Sequence, residues 1–254
     1  MKTFIRRLLR FFSVEARVDY YRFNQKTSLE VHPLEPFYRN LVKPNSLVFD
    51  VGANIGDFSD LFLKNNCRVI AAEPQKYCRQ YLHIRFRKNK NFILVPKAVS
   101  EKEGKHEIFV SDNHTVSSLS KHWIEQVKET ERFGKAQWNK AGEISTITLD
   151  QLIGSHGCPD YCKIDVEGFE LNVIKGLSKK IPFISFEFTT EAFSDTLKII
   201  EHLSSIGAYQ FNVLHGGEIE FVKNDWLDKE AFLTRIEYCS TGRNNGDIFA
   251  RLKS

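Results

Sequence analysis

The chain has no apolar stretch near the roughly 20 residues that a membrane-spanning helix requires, so nothing in it predicts a span. Cysteine is sparse and scattered: five residues, at 67, 78, 158, 162 and 239. They form no C-x-x-C, and the 158/162 pair lacks a second ligand pair at zinc spacing. An odd, dispersed set fits small buried hydrophobes in a reducing compartment better than a disulfide framework or a zinc site. Arginines interrupt the apolar run at the N-terminus and no small-residue cleavage site follows, so a secretory leader is not expected either. The expectation is a cytoplasmic protein. Charge of one sign is nearly lacking, with 36 Lys and Arg against 32 Asp and Glu. Four of those cations lie in residues 1–12, and the remainder of the chain balances, which argues against a nucleic-acid-binding body. Internal repeats and low-complexity tracts are absent.

What is present suits one large domain with an extension: 254 residues, 42% of them hydrophobic, enough to bury a full core. The division expected is an extension over 1–45 and a main domain over 46–254, with a polar insertion at about 111–142. Residues 1–12, "MKTFIRRLLRFF", place Phe4, Ile5, Leu8, Leu9 and Phe12 on one helical face and basic side chains opposite. So short a helix needs a surface. That surface is either the domain itself or an anionic membrane, which basic amphipathic helices favour.

From residue 46 apolar runs alternate with helical patterns. "SLVFDVG", "RVIAAEP", "FILVPKAVS", "DYCKIDVEG" and "PFISFEF" read as strands; "DFSDLFLKNN", "KYCRQYLHIRFRKN", "ELNVIKGL" and "SDTLKIIEHLSSIG" read as the helices between them. Helical crossovers of this length imply parallel pairing in a doubly wound sheet. "GKHEIFVSD" is hairpin-like, residues 117–142 are polar and helical, and "ISTITLDQL" is a further candidate strand. The chain closes on "YQFNVL", "EIEFV" and "GDIFARL", whose short connections predict antiparallel pairing at the sheet edge.

In such a sheet, ligands sit at the carboxyl ends of the strands. "LVFDVGANIGDF" ends its strand on Asp50 and follows at once with Gly52 and Gly56, a loop shaped to wrap a ligand. The G-x-G-x-x-G of pyrophosphate binders and the phosphate loop G-x-x-x-x-G-K-[ST] are both missing. A carboxylate at Asp50 suits a ligand with a cationic end, and Glu73, closing the second strand, is placed to accept from both hydroxyls of a ribose. S-adenosylmethionine answers to both acids.

"FDVGANIGDFS", "AAEP", "KAVS", "VSSL", "TLDQL" and "KIDVEGFELNVIKG" stand in an order that resembles the FkbM-type family of S-adenosylmethionine-dependent methyltransferases, over roughly residues 46 to 190. The resemblance implies a class I methyltransferase fold: a mostly parallel seven-stranded Rossmann-like sheet with an antiparallel edge region. It implies a cofactor loop of Asp50, Gly52, Ala53, Asn54, Gly56 and Phe58, with Glu73 on the ribose and Pro74 shaping its turn. Ala98 and Val99, at the end of the third strand, would flank the adenine, and Asp165 would face the reactive end of the cofactor. It also implies O-methylation of a sugar, glycan or secondary metabolite.

"KIDVEGFE" sets Asp165 and Glu167 where the fourth strand meets its loop. A carboxylate there can take the proton of an acceptor hydroxyl, or two can hold a divalent cation that acidifies it. With two acids in view the metal-free version is favoured, and no metal is expected. Their alternative is capping of the next helix. His114, Ser117, Ser118 and His215 are further candidates for the acceptor site, and Lys163 is either a site cation or the partner of a nearby acid. Two other functions share parts of this pattern: a nicotinamide-dependent oxidoreductase, which fails on glycine spacing and on Asp50, and a non-catalytic cofactor-binding protein of the same fold.

Overall fold

A computed structural model describes residues 16–21, 32–111, 117–130, 132, 134, 136–221, 225–242 and 244–253. Residues 1–12 and His114 lie outside them. Residues 16–21 are helical, and α1 (Glu35–Leu41) follows. The alternating part begins with β1 (Leu47–Val51), α2 (Asp57–Lys64), β2 (Arg68–Ala72), α3 (Lys76–Phe86) and β3 (Phe92–Val95). Next come β4 (Ala98–Val99), β5 (Gly104–Ser111), α4 (Lys121–Glu129), β6 (Trp138–Ile147) and α5 (Leu149–His156). The pattern resumes with β7 (Tyr161–Ile164), α6 (Glu170–Lys175), β8 (Phe183–Thr189), α7 (Phe193–Ile206) and β9 (Tyr209–His215). It ends with α8 (Lys229–Ile236) and β10 (Asn245–Leu252).

Seven strands form one sheet in the order β3-β2-β1-β7-β8-β10-β9. All neighbours are parallel except around β10, which lies antiparallel between β8 and β9. That strand order is the class I methyltransferase sheet. The near-continuous apolar runs of its central strands follow from helices covering both faces. One core holds Phe49, Ile70, Ile164, Ile184 and Ile248 with α6 and α7. The other holds Tyr38, Val48, Phe62, Val69 and Phe249, so α1 is packed into the domain. The sheet order reverses between β1 and β7, and that is where the cavity lies.

Several local expectations are corrected. The run "FILVPKAVS" is split: the third strand of the large sheet ends at Val95, and Ala98–Val99 is β4, paired with β6 in a separate three-stranded sheet ordered β4-β6-β5. Lys97, following Pro96, separates the two. Among the described residues of the polar insertion only α4 is helical; Trp138 opens β6, which pairs antiparallel with β5. "TLDQL" is not strand but the start of α5, where Thr148 and Gln151 form a capping box. Residues 218–221 of "EIEFV" form no strand, and α8, whose apolar face carries Phe232 and Ile236, is an element the sequence reading left out. Of the five thiols only Cys158 is exposed; the others are buried as expected. Among the described residues no helix is long and apolar enough to cross a membrane.

Candidate active site

β1, β2 and β7 end side by side, and the loops that leave them enclose a cavity of about 230 Å³. Its wall includes Asp50, Gly52, Ala53, Asn54 and Phe58 from the β1 loop, Glu73, Pro74 and Gln75 after β2, and Asp165 to Glu167 after β7. The β5 and insertion side adds Ile108, Ser117 and Leu119. Most of the residues singled out from the sequence therefore share one surface.

The two loop glycines work by close approach. At Gly52 (φ 85°) a Cβ would lie 1.8 Å from the carbonyl oxygen of Asp165, so the β1 loop rests directly on the β7 loop. At Gly56 (φ 88°) a Cβ would meet Leu82 and Phe86 at 2.6 Å, so this glycine serves the packing of α2 on α3 and does not line the cavity. Asn54 at φ 49° completes the turn, a conformation asparagine tolerates better than most.

Asp50 is 2% exposed and accepts a 2.5 Å hydrogen bond from Ser59 Oγ. Burial raises its pKa, opposed by that bond and by Lys163. Glu73, also 2% exposed, accepts from the Asn54 amide at 2.9 Å and the Gln75 amide at 2.6 Å. Burial pushes its carboxyl up to about 7 despite those amides. Each oxygen of Glu73 keeps a second lone pair for a ligand.

The β7 acids sit in rows that the register sets. Asp50 pairs across with Lys163, and Lys163 with Ser185. One step further, Asp165 leaves β7 beside Glu187, which is itself opposite Asp247. Lys163 is buried at 1% and donates to Asp165 Oδ2 at 2.6 Å, with its ammonium 4.1 Å from the Phe58 ring centroid. Burial works against its charge, but Asp165, Asp247 and Asp50 outweigh it and push the pKa up. Lys163 is thus the partner of a neighbouring acid. Asp165, Glu167 and Glu187 each bring one carboxylate oxygen within 4.8 Å of the others. Burial, with Asp165 and Glu170 beside it, drives Glu167 well above the usual carboxylate range. Glu187 is driven the same way by burial, Glu167 and Asp165.

Glu167 itself has φ 54° and Gly168 φ 80°. This left-handed pair turns the chain sharply from strand to helix. The turn is held by a residue the sequence reading passed over: buried Glu170, the first residue of α6, accepts from the Val166 and Gly168 amides at 2.9 and 3.3 Å, while the N-cap, Phe169, makes no side-chain capping bond. From the other side, Ser118 is wholly buried and donates to the Glu167 carbonyl at 2.6 Å, so its hydroxyl braces the turn. Ser117 lines the cavity and accepts from the Ser111 amide at 3.2 Å. Trp123 of α4 lies flush under Gly168, where a Cβ would come within 2.1 Å of its ring.

Three of the sequence candidates lie elsewhere. Ala98 and Val99 are buried in the small sheet and do not line the cavity. His215, at the end of β9, shares a 2.5 Å hydrogen bond with the Tyr238 hydroxyl, and burial lowers its pKa. Glu187 and Asp247 were missed, although each is a lone acid inside an otherwise apolar strand run, a signal of the kind that marks buried function.

The family model described as the methyltransferase FkbM domain matches residues 50–221. The chain belongs to that family. The match spans every cavity residue named above, and the chain is a member of an S-adenosylmethionine-dependent methyltransferase family by this evidence and by its sheet order. A search of the curated proteins finds no significant match. Among solved structures, a TehB-like methyltransferase from Corynebacterium glutamicum is 10% identical, with 94% of this chain and 97% of that chain covered at a TM-score of 0.49. A putative O-methyltransferase from Klebsiella pneumoniae is 8% identical, covering 93% and 87% at 0.47. Precorrin-6y C5,15-methyltransferase from Geobacter metallireducens is 14% identical, covering 84% and 82% at 0.44. At such identities and scores they bear on neither acceptor nor chemistry.

The FkbM-type cavity fits the family's cofactor on its own terms. The loop at Gly52 leaves no room for a side chain, Glu73 has lone pairs to spare for ribose hydroxyls, and the β7 side gathers Asp165, Glu167 and Glu187 near the single ammonium of Lys163 that the described residues place there. That imbalance suits a ligand whose reactive end is cationic.

Proposed function

We propose that this FkbM-family protein methylates a hydroxyl of a sugar, glycan or small metabolite, with Glu167 as the base. The single observation behind the choice of Glu167 is that Asp165 is already held by Lys163 at 2.6 Å, whereas Glu167 faces the cavity with a raised pKa. A carboxylate oxygen that already accepts from a buried ammonium has that partner to give up, whereas a carboxyl raised by burial and like charges is a strong proton acceptor.

S-adenosylmethionine, when bound, supplies an electrophilic methyl group on a sulfonium. Asp50, the Gly52–Asn54 turn, Phe58 and Glu73 would hold it, Glu73 by accepting from the ribose. Asp165 fixes Lys163 and the end of β7, so the turn at Glu167 keeps its aim. Glu167 would accept the acceptor hydroxyl's proton as the oxygen becomes a nucleophile, a contribution of about 10²–10⁴-fold. Ser117, which lines the same cavity, would hydrogen-bond the acceptor.

A second reading has its own support in the 4.8 Å convergence of Asp165, Glu167 and Glu187. These three would hold a divalent cation, whose charge would acidify a hydroxyl beside it. One experiment addresses both readings. Incubation with cofactor and a pool of hydroxylated acceptors should give a product one methylene heavier by mass spectrometry, and Glu167→Gln should lower the rate by about 10²–10⁴-fold. Insensitivity to a chelator supports the carboxylate alone; loss to the chelator and recovery with Mg²⁺ supports the cation. Wild-type rates in the Glu167→Gln variant would remove Glu167 from the reaction.

A further inference from the structure

The balanced charge of the chain conceals a strong asymmetry. Residues 74–100 contain seven Lys and Arg and no acid, and residues 1–12 contain four and no acid. Those two segments hold 11 of the 36 cations and none of the 32 acids, so the rest of the chain carries 25 against 32. In α3 and the turn after it, Lys76, Arg79, His83 and Arg87 recur at helical spacing on one face, and exposed Lys88 and Lys90 continue it. Arg85 points elsewhere and is neutralised by Asp57 and Asp60. Among the described residues Lys76, Arg87, Lys88 and Lys90 form no ion pair, and Arg79 forms none within 4.0 Å although Glu73 feels its charge.

The stripe borders a cavity of about 410 Å³. Arg17, Lys76, Arg79 and His83 rim it, Ile84, Leu94 and Pro96 supply apolar wall, and among the described residues no acid lines it. Arg79 Nε is buried without a hydrogen-bond partner, a donor whose desolvation is uncompensated by the protein. Such a site, with convergent guanidinium and ammonium groups over an apolar floor, matches a phosphate headgroup with the start of its acyl chains.

The helical residues 16–21 lie beside that face, with Arg17 on the cavity rim. Residues 16–21 dock on α3: the Tyr20 and Tyr81 ring centroids are 5.4 Å apart, and Tyr77 donates to Asp19 at 3.0 Å. The basic and apolar segment 1–12 precedes this helix by three residues in the sequence. Its Phe4, Ile5, Leu8, Leu9 and Phe12 are side chains that a bilayer interface takes up and a nucleic-acid backbone does not.

We infer that the α3 face, from Lys76 to Lys90 with the Arg17–Arg79 cavity, is a docking surface for an anionic lipid bilayer. The stripe starts one residue from Gln75, which lines the active-site cavity, so docking sets the mouth of that cavity near the headgroups. The inference does not depend on the reaction proposed above, and its test does not use turnover.

The test is co-sedimentation with vesicles of phosphatidylcholine alone or with about one-third phosphatidylglycerol. Wild type should bind only the anionic vesicles, and raising salt from about 0.1 to about 0.5 M should release it. Reversing three exposed cations, Arg87→Glu, Lys88→Glu and Lys90→Glu together, should weaken partitioning by about 100-fold. Thermal melting of that variant checks the fold, and the salt titration of wild type stands if it is unstable. Leu8→Glu with Leu9→Glu should weaken binding as well. Equal binding to neutral vesicles, wild-type partitioning by the triple reversal, or selective binding of a single-stranded oligonucleotide with no vesicle binding would each overturn the inference.

Discussion

At the scale of single residues, the pair Lys163–Asp165 carries a consequence for mutagenesis. Lys163 is 1% exposed and its nearest acid is Asp165. Asp165→Asn keeps the shape but leaves a buried ammonium with only the more distant Asp50 and Asp247. The loss should be about 2 kcal/mol, below the cost of breaking a fully buried pair because Asp165 is 31% exposed. Chemical denaturation should show this loss in Asp165→Asn and little of it in Glu167→Gln. Turnover should rank the other way once both are measured where they are folded. Equal stability of the two variants would mean that Lys163 does not rely on Asp165.

At the scale of elements, the insertion is a support for the acidic turn. Trp123 lies under Gly168 and donates toward Thr189 Oγ1 at 3.4 Å, Ser118 holds the Glu167 carbonyl, and Arg132 pairs with Glu191 at 2.8 Å. Trp123→Ala should cost about 3–5 kcal/mol as a core truncation. It should also lower turnover more than cofactor affinity, because its ring supports the Gly168 turn beside Glu167. Calorimetric titration with S-adenosylmethionine beside a turnover assay would show whether affinity survives. The cofactor side was readable from residues because its signals are local: a strand run, an acid, two glycines and a second acid in order. The acidic row across β7, β8 and β10 was not, since Glu187 and Asp247 reach Asp165 only through strand pairing over long separations. The strands of the small sheet were legible as "FILVPKAVS", "GKHEIFVSD" and "ISTITLDQL", but their pairing into a separate sheet was not, because Ala98 and Gly104 meet Thr146 only over a long separation. Glu167 and Gly168 show the middle case: the sequence marks a turn, but the serine that braces it, Ser118, lies 49 residues away.

At the scale of the whole molecule, the buried acids should govern stability against pH. Glu73 and Glu170 are both raised to about 7 by burial, from an ordinary value of 4.5. Their folded pKa values exceed the unfolded ones, so the native state binds more protons than the unfolded chain between these limits. That contribution is fully present below pH 4.5 and is lost as pH rises through about 7. For Glu73 alone the change is on the order of 3 kcal/mol. Ligand-free protein should therefore melt lower at pH 7.5 than at pH 5.5, and Glu73→Gln should flatten part of the slope. A wild-type slope in that variant would place the effect in other acids. The thiols offer a different consequence. Cys158 alone is exposed, and it precedes β7 at the end opposite Asp165, roughly 20 Å from it along the strand. A maleimide dye should attach there once and only once, though slowly near neutral pH because burial raises that thiol too. The native chain thus comes with a built-in optical reporter, attached on the far side of the sheet from the chemistry, whose distance to a labelled bilayer can be read without altering a residue.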